Sequence, residues 1–364
     1  MPKKPEWTPD GNNPAFTTKV KEGIAKPQPK NKQDIVKMEL KSAKYYINGI
    51  ISSDRTVLAQ AITILESNAE KHFHLGQEIL SEIIKLSSKS IRIGITGAPG
   101  AGKSTFINTL GTLLCNTGHK VAVLAIDPSS SVSGGSILGD KTRMENLSRE
   151  PDAFIRPAPS GNTLGGVARK TRESVIACEA AGYDIIFVET IGVGQSEITV
   201  RSMVDFFLLL LLPGEGDELQ GLKKGTVELA DTIVVNKADG DNVKPAEITK
   251  RQYEQAIHYI RQATKGWQTV VTTSSALDGT GIGNIWKTIL EFQERGKQTG
   301  IFYERRKEQQ ISWFRSLIKD NLLDIFYTDK QIRAELPELE NKIKNNQIAV
   351  SKAANMLIQL FLRK

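Results

Sequence analysis

The apolar positions change period along the chain, and each change marks a boundary. Residues 1–34 show no period and are rich in Lys, Pro, Asn and Gly, which predicts a disordered or draped arm. From 35 to 87 the spacing is helical. Leu58, Ala61, Ile62 and Leu65 share one face behind a Ser53 or Asp54 cap, and Leu75, Ile79 and Ile83 make a second stripe. Two or three helices are expected there. From 88 to 296 short apolar runs alternate with amphipathic segments. Strands are expected at 91–96, 120–126, 184–190, 205–212, 231–236 and 269–274, and helices at 103–116, 163–181, 197–203, 219–229, 246–264 and 282–295. Several runs are continuously apolar, as strands covered on both faces should be. The run Phe206-Phe-Leu-Leu-Leu-Leu-Leu212 is far too short to span a bilayer and reads as one of them. The fold class is therefore α/β, three layers α/β/α on a mostly parallel sheet, with helical extensions at both ends. In the extension from 297 to 364, Ile311, Phe314, Ile318, Leu322 and Ile325 form one stripe. Val350, Ala353, Leu357 and Phe361 form another, and Pro337 is expected to break the segment between them.

Composition narrows the class. The 364 residues are 39% hydrophobic and 24% charged, enough for a packed core. The net charge of +7 is not focused: residues 1–34 hold seven Lys against four acids, and the rest is spread thinly. No basic stripe carries interleaved aromatics, so nucleic-acid binding is not expected. Nor is membrane insertion. Cys115 and Cys178 form no C-x-x-C pair, and the H-x-H pair His72 and His74 is a weak metal signal that fits a helix surface better. The arm contains no Arg and no apolar signal region, so a cytoplasmic location is expected.

Candidate chemistry centres on the stretch after the first strand, Gly97-Ala98-Pro99-Gly100-Ala101-Gly102-Lys103-Ser104-Thr105. It reads G-x-x-x-x-G-K-S, the phosphate-binding loop, or P-loop. Glycines let backbone N–H groups converge on phosphate oxygens, and the next helix adds its positive end. Lys103 is placed to reach the β- and γ-phosphates, and the Ser104 hydroxyl to bind Mg²⁺. The strand at 184–190 leads into Glu189-Thr-Ile-Gly192, an E-x-x-G where many GTPases have D-x-x-G. Glu189 is a candidate for holding a Mg²⁺-bound water or positioning the attacking water. Gln195 is either a switch residue or a turn-surface Gln. Asp127 ends the second strand, and Asp140 follows in Gly139-Asp140-Lys-Thr-Arg143. Both are candidate acids around Mg²⁺, with helix or turn capping as the alternative.

The base is read further along. Asn236-Lys237-Ala238-Asp239 follows the strand at 231–236. A carboxylate at Asp239 can accept from N1–H and the 2-amino group of guanine, whereas adenine would leave it unpaired. Lys237 can lie along the purine, and Asn236 can tie this loop to the phosphate loop. Ser274-Ser275-Ala276-Leu277 stands where a backbone N–H can meet guanine O6.

These motifs, with Asp127-Pro-Ser-Ser130, Arg156-Pro157, Gly161-Asn-Thr-Leu-Gly-Gly-Val-Ala-Arg-Lys-Thr-Arg172, Gly192-Val-Gly-Gln-Ser-Glu197 and Gly216-Asp-Glu-Leu-Gln-Gly-Leu-Lys-Lys-Gly225, resemble the MeaB/ArgK family across about residues 40 to 330. Ile191 stands where the family pattern has Val. The resemblance implies a P-loop GTPase using GTP/GDP and Mg²⁺. It also implies dimerisation through the helical extensions and service as a chaperone of adenosylcobalamin-dependent methylmalonyl-CoA mutase or a related acyl-CoA mutase. The rival readings are an ATP-dependent kinase or ATPase of an amino-acid transport system, against which Asp239 speaks, and a metal-insertion GTPase, against which four His and no C-x-x-C speak.

Three expectations remain to be placed. Arg143, Arg169 and Arg172 are candidates to face the γ-phosphate, or are solvated surface. The segment 213–225, with Gln220 and Lys223, is either a switch that couples to the partner or an ordinary solvated loop. The stripes 311–325 and 350–361 are expected to bury against a second copy, or back on the chain's own α/β body.

Overall fold

The computed structural model describes residues 40–86, 89–126, 143–157, 164–190, 196–214 and 224–362. The chain divides into two units, Met1–Lys41 and Ser42–Lys364, and every element below belongs to the second.

Seven strands form one sheet: β1 Ile91–Gly97, β2 Val121–Ile126, β3 Ala153–Arg156, β4 Ile185–Thr190, β5 Phe206–Leu211, β6 Thr232–Val235 and β7 Val270–Thr273. Their order is β3-β2-β4-β1-β5-β6-β7, and each of these pairings is parallel. This is the expected three-layer α/β/α form. β3 has no counterpart among the expected strands. Four residues ending on a charged Arg carry almost no period-two signal, and its place is set by pairing with β2 instead.

Side chains on the two faces of β5 show the layering. Phe206, Leu208 and Leu210 join a core with Phe106, Ile107 and Leu110 of the helix Lys103–Asn116 and with Ile285, Ile289 and Phe292 of the helix Ile282–Gln298. Leu209 and Leu211 point the other way, into a cluster with Tyr253 of the helix Val243–Ile257. Strands sandwiched in this manner are apolar at nearly every position, which is why their periodicity vanishes.

Three helices precede the sheet: Ala43–Ile51, Arg55–Leu65 and Glu70–Ile83. Asp54, not Ser53, is the cap of the second, accepting from Thr56 N at 2.8 Å and Val57 N at 3.0 Å. Leu58, Ala61, Ile62 and Leu65 are buried, as are Ile79 and Ile83.

After the sheet comes the helix Ile301–Thr328. Its first turns grip the sheet edge where β1 and β5 begin. Arg306 Nε donates to Asp205 Oδ1 at 2.7 Å, Arg306 donates to the Ser90 carbonyl at 2.9 Å, and Gln309 donates to the Val204 carbonyl at 2.8 Å. Pro337 does not break the chain as expected. It lies inside the helix Lys330–Lys344, and the break falls at Asp329, whose carboxylate caps Gln331 N at 2.9 Å and Ile332 N at 3.1 Å. In the 350–361 stripe Ala353 and Leu357 pack on Ile332 and Leu339 of that same helix, with Phe361 against them, while Val350 stays exposed. Two amphipathic helices joined by a short turn cover each other first, so most of this stripe is buried within the extension itself.

Candidate functional site

β1 sits between β4 and β5, so the chain leaves it to one side and later returns on the other. That switch opens a crevice beyond the carboxyl ends of the strands, where open α/β sheets hold ligands. The phosphate loop leaves β1 into it. At Gly97 an added Cβ would lie 2.4 Å from the Leu210 carbonyl oxygen, so only glycine fits between the strands. Gly102 turns the chain into the helix Lys103–Asn116 with φ +87, and a Cβ there would lie 2.7 Å from Asn236 Nδ2.

Lys103 is buried, and its Nζ donates to the Gly97 carbonyl at 2.8 Å and the Ala98 carbonyl at 3.2 Å. Burial pulls its pKa below the usual lysine value; Glu189 and Glu197 oppose that pull, and Arg143 adds to it. Ser104 Oγ donates to Glu189 Oε1 at 3.1 Å. Glu189 is buried on β4, in register with Ile95 of β1 and Ala125 of β2. The expected hydroxyl and carboxylate therefore meet beside the lysine.

The base-reading residues form a second cluster. Asn236 Nδ2 donates to the Ala101 carbonyl at 2.8 Å, while its Oδ1 accepts from Ser274 Oγ at 3.2 Å and Ala276 N at 3.1 Å. Ser275 Oγ donates to Asp239 Oδ2 at 2.6 Å. Lys237 is exposed and takes φ +59, a left-handed conformation that costs an L-residue about 1–2 kcal/mol. Leu277 is 83% exposed. The Asp239 carboxylate, the exposed Lys237 stem and the exposed Leu277 side chain offer, on two neighbouring loops, an acceptor for a purine edge and apolar surface for its faces.

The family model described as "Methylmalonyl Co-A mutase-associated GTPase MeaB" matches residues 58–331. The chain belongs to this family. It is a GTPase, and its relatives carry that name in several forms. It is 44% identical over 303 residues to "GTPase ArgK" of Escherichia coli, covering 83% of this chain and 92% of that one. It is 43% identical over 323 residues to "Methylmalonic aciduria type A homolog, mitochondrial" of Mus musculus, covering 86% of this chain and 78% of that one. Among solved structures, the crystal structure of an "LAO/AO transport system kinase" superposes with a TM-score of 0.72 at 36% identity, covering 90% of this chain and all 100% of that one.

Within this MeaB-family GTPase, Gly97 to Thr105, Glu189, Asn236, Lys237, Asp239, Ser275, Ala276 and Leu277 all lie at the carboxyl edge of the sheet. Asp127, Asp140, Gln195, Gln220 and Lys223 lie outside the described residues. The three arginines separate. Arg143 is the one whose charge acts on Lys103. Arg169 lines a small cavity with Ser67, His72 and Gly76, facing the N-terminal helices. Arg172 is at the opposite edge of the sheet, donating to the Ser202 carbonyl at 2.9 Å and stacking over Trp313 with its guanidinium 5.5 Å from the ring centre. Burial, with Arg92 nearby, pushes its pKa down to about 10. The helix Leu164–Ala180 is long enough to run from one edge toward the other, so Arg172 faces away from the crevice.

Glu197 has no role in the sequence reading, yet it is buried and its charge acts on Lys103. Its signal is faint: an acid in the first turn of the short helix Ser196–Arg201 that follows E-x-x-G. No helix among the described residues is long and apolar enough to cross a membrane.

Proposed function

We propose that a guanine nucleotide and Mg²⁺ occupy this crevice, and that the chain is a nucleotide-gated chaperone of an adenosylcobalamin-dependent acyl-CoA mutase, methylmalonyl-CoA mutase or a relative. One observation carries the nucleotide part: Asn236 bonds at once to the phosphate loop and to the loop 274–276, so phosphate and base elements form one unit. Asp239 accepts from guanine N1–H with one oxygen and from the 2-amino group with the other, while Ser275 donates to a further lone pair on Oδ2. Lys103 exchanges its loop carbonyls for phosphate oxygens. The neighbouring Ser104 hydroxyl and Glu189 carboxylate are hard oxygen donors and fit Mg²⁺, which prefers one or two protein ligands plus waters and phosphates. When bound, the ion neutralises charge on the β- and γ-phosphates. Arg143 is the arginine best placed to add to that. The mutase assignment is supported by the family's name.

A kinase acting on a transport protein, the activity in the structural relative's name, would select ATP; the Asp239 carboxylate favours guanine.

Dimerisation belongs to the same proposal. Ile311, Phe314, Ile318, Leu322 and Ile325 are 53, 60, 44, 56 and 56% exposed along one helix, a face suited to a second copy across a two-fold axis. Light scattering at micromolar concentration should give a dimer, and a monomer rejects this part.

The test of the chaperone reading is the GTP turnover rate with and without the purified mutase. The mutase is expected to change the rate, and Lys223→Ala to shrink that change with GTP affinity near wild type. A rate indifferent to every cobalamin-dependent acyl-CoA mutase offered overturns the reading.

A further inference from the structure

Several helical threonines among the described residues turn the hydroxyl back on their own helix. Thr63, Thr171, Thr288 and Thr328 each donate to the carbonyl four residues earlier. Thr109, in the helix that follows the phosphate loop, does not. Its Oγ1 donates to the carbonyl of Ala276, 2.6 Å away and 167 positions along the chain. The contact joins the phosphate-loop helix to the loop after β7.

The amides of that loop are nearly all used internally. Ser274 N donates to the Val235 carbonyl at 2.9 Å and Ser275 N to the Thr280 carbonyl at 3.0 Å. Ala276 N donates to Asn236 Oδ1 at 3.1 Å and Asp278 N to Ser275 Oγ at 3.3 Å. Gly279 N donates to the Ser275 carbonyl at 3.0 Å. In the stretch 274–279 the Leu277 N–H alone lacks an acceptor among the described residues, and Leu277 is 83% exposed. This N–H belongs to the same peptide unit as the Ala276 carbonyl. In a trans peptide the two point in opposite directions, so fixing one aims the other.

We infer that Thr109 is a positioning residue for base recognition: by holding the Ala276 carbonyl, its hydroxyl aims the Leu277 N–H at the 6-oxo group of the purine. The inference rests on the guanine reading above and adds a residue that no motif contains. Asp239 reads N1–H and the 2-amino group; Leu277 N–H reads the opposite chemistry, an acceptor at position 6. Thr109 sets the second reading without touching the base, and it does so from the helix whose first residue, Lys103, faces the phosphates.

The test is competitive binding of three diphosphates to the full chain: GDP, 6-thio-GDP and IDP. The thio compound keeps N1–H and the 2-amino group but presents a weak acceptor at position 6. IDP keeps the 6-oxo group and lacks the 2-amino group. Wild type should prefer GDP over both. Thr109→Val, which keeps the shape and removes the hydroxyl, should weaken GDP about fivefold, the worth of one hydrogen bond. It should shrink the preference over 6-thio-GDP toward unity and leave the preference over IDP unchanged. Thr109→Ser, which restores a hydroxyl, should restore the wild-type pattern. Equal weakening of all three ligands by Thr109→Val would mean that Thr109 serves packing alone, and overturns the inference. An undiminished preference over 6-thio-GDP in the variant overturns it too. A wild type indifferent to the loss of the 2-amino group would instead sink the guanine reading beneath it.

Discussion

The side-chain amide of Asn236 donates to the main-chain carbonyl of Ala101 at 2.8 Å, bridging the loop after β6 and the loop after β1. The bridge is possible because Gly102, next to Ala101, has no side chain. A Cβ there would stand 2.7 Å from Asn236 Nδ2, in a backbone conformation of φ +87. Gly102→Ala should therefore displace Asn236 and lower GDP affinity about tenfold, the equivalent of about 1.4 kcal/mol. Gly118→Ala is the control: φ is +88 there, but nothing lies within 4 Å of the added Cβ. Both variants should melt a few degrees lower, and only Gly102→Ala should change nucleotide affinity in calorimetry.

Lys103 is held buried by the Gly97 and Ala98 carbonyls, ready to exchange them for phosphate oxygens. Removing that charge from where negative charge develops should cost about 10²–10³ in turnover, as loss of a preorganised donor does elsewhere. Ser104→Ala should raise the Mg²⁺ concentration needed for half-maximal rate. Phosphate release by Lys103→Ala at the wild-type rate, or an unchanged Mg²⁺ requirement in Ser104→Ala, contradicts the roles given to this loop.

Glu173 supplies a pH dependence. It is buried in the helix Leu164–Ala180, and burial pushes its pKa up to about 7 against the opposing pull of Arg169 and Lys170. Its folded-state pKa lies above the unfolded value, so the folded protein holds the proton more tightly. This group therefore favours folding below about pH 4.5, and that contribution is lost as pH rises through about 7. Glu173→Gln keeps the neutral shape at every pH. It should melt near wild type at pH 5 and above it at pH 8, by an amount on the order of 3 kcal/mol at most. Equal melting shifts at both pH values would show that Glu173 does not titrate in this range.

What was legible in the sequence follows from where the constraint lies. The phosphate loop and Asn236-Lys237-Ala238-Asp239 each pack several requirements into one short turn, so spacing alone identifies them. Strands β2 and β5 declare themselves because burial on both faces leaves no polar position in the run, and β1 and β4 because theirs are few. Thr109 was invisible because its partner is 167 positions away and no local rule marks a helical Thr that reaches outward. Arg172 stayed open between the phosphate and solvated surface because a motif states that a residue matters and not which edge of the sheet it faces. The stripe Val350, Ala353, Leu357 and Phe361 showed a buried face, while its partner helix, Lys330–Lys344, was obscured by the Pro337 it contains. Secondary structure is read from neighbours in sequence; these three outcomes depend on neighbours in space.

Asp239, held by Ser275 at 2.6 Å, is the residue expected to select guanine. Nucleotide competition by calorimetry, on wild type and Asp239→Asn, tests it most directly. An amide in place of the carboxylate offers one acceptor and one donor, so it fails against the paired donors of guanine and matches the 2-oxo group of xanthine. Wild type should bind GTP far more tightly than ATP, and Asp239→Asn should weaken GTP while favouring xanthosine triphosphate. Equal affinity of the wild type for ATP and GTP would contradict that role.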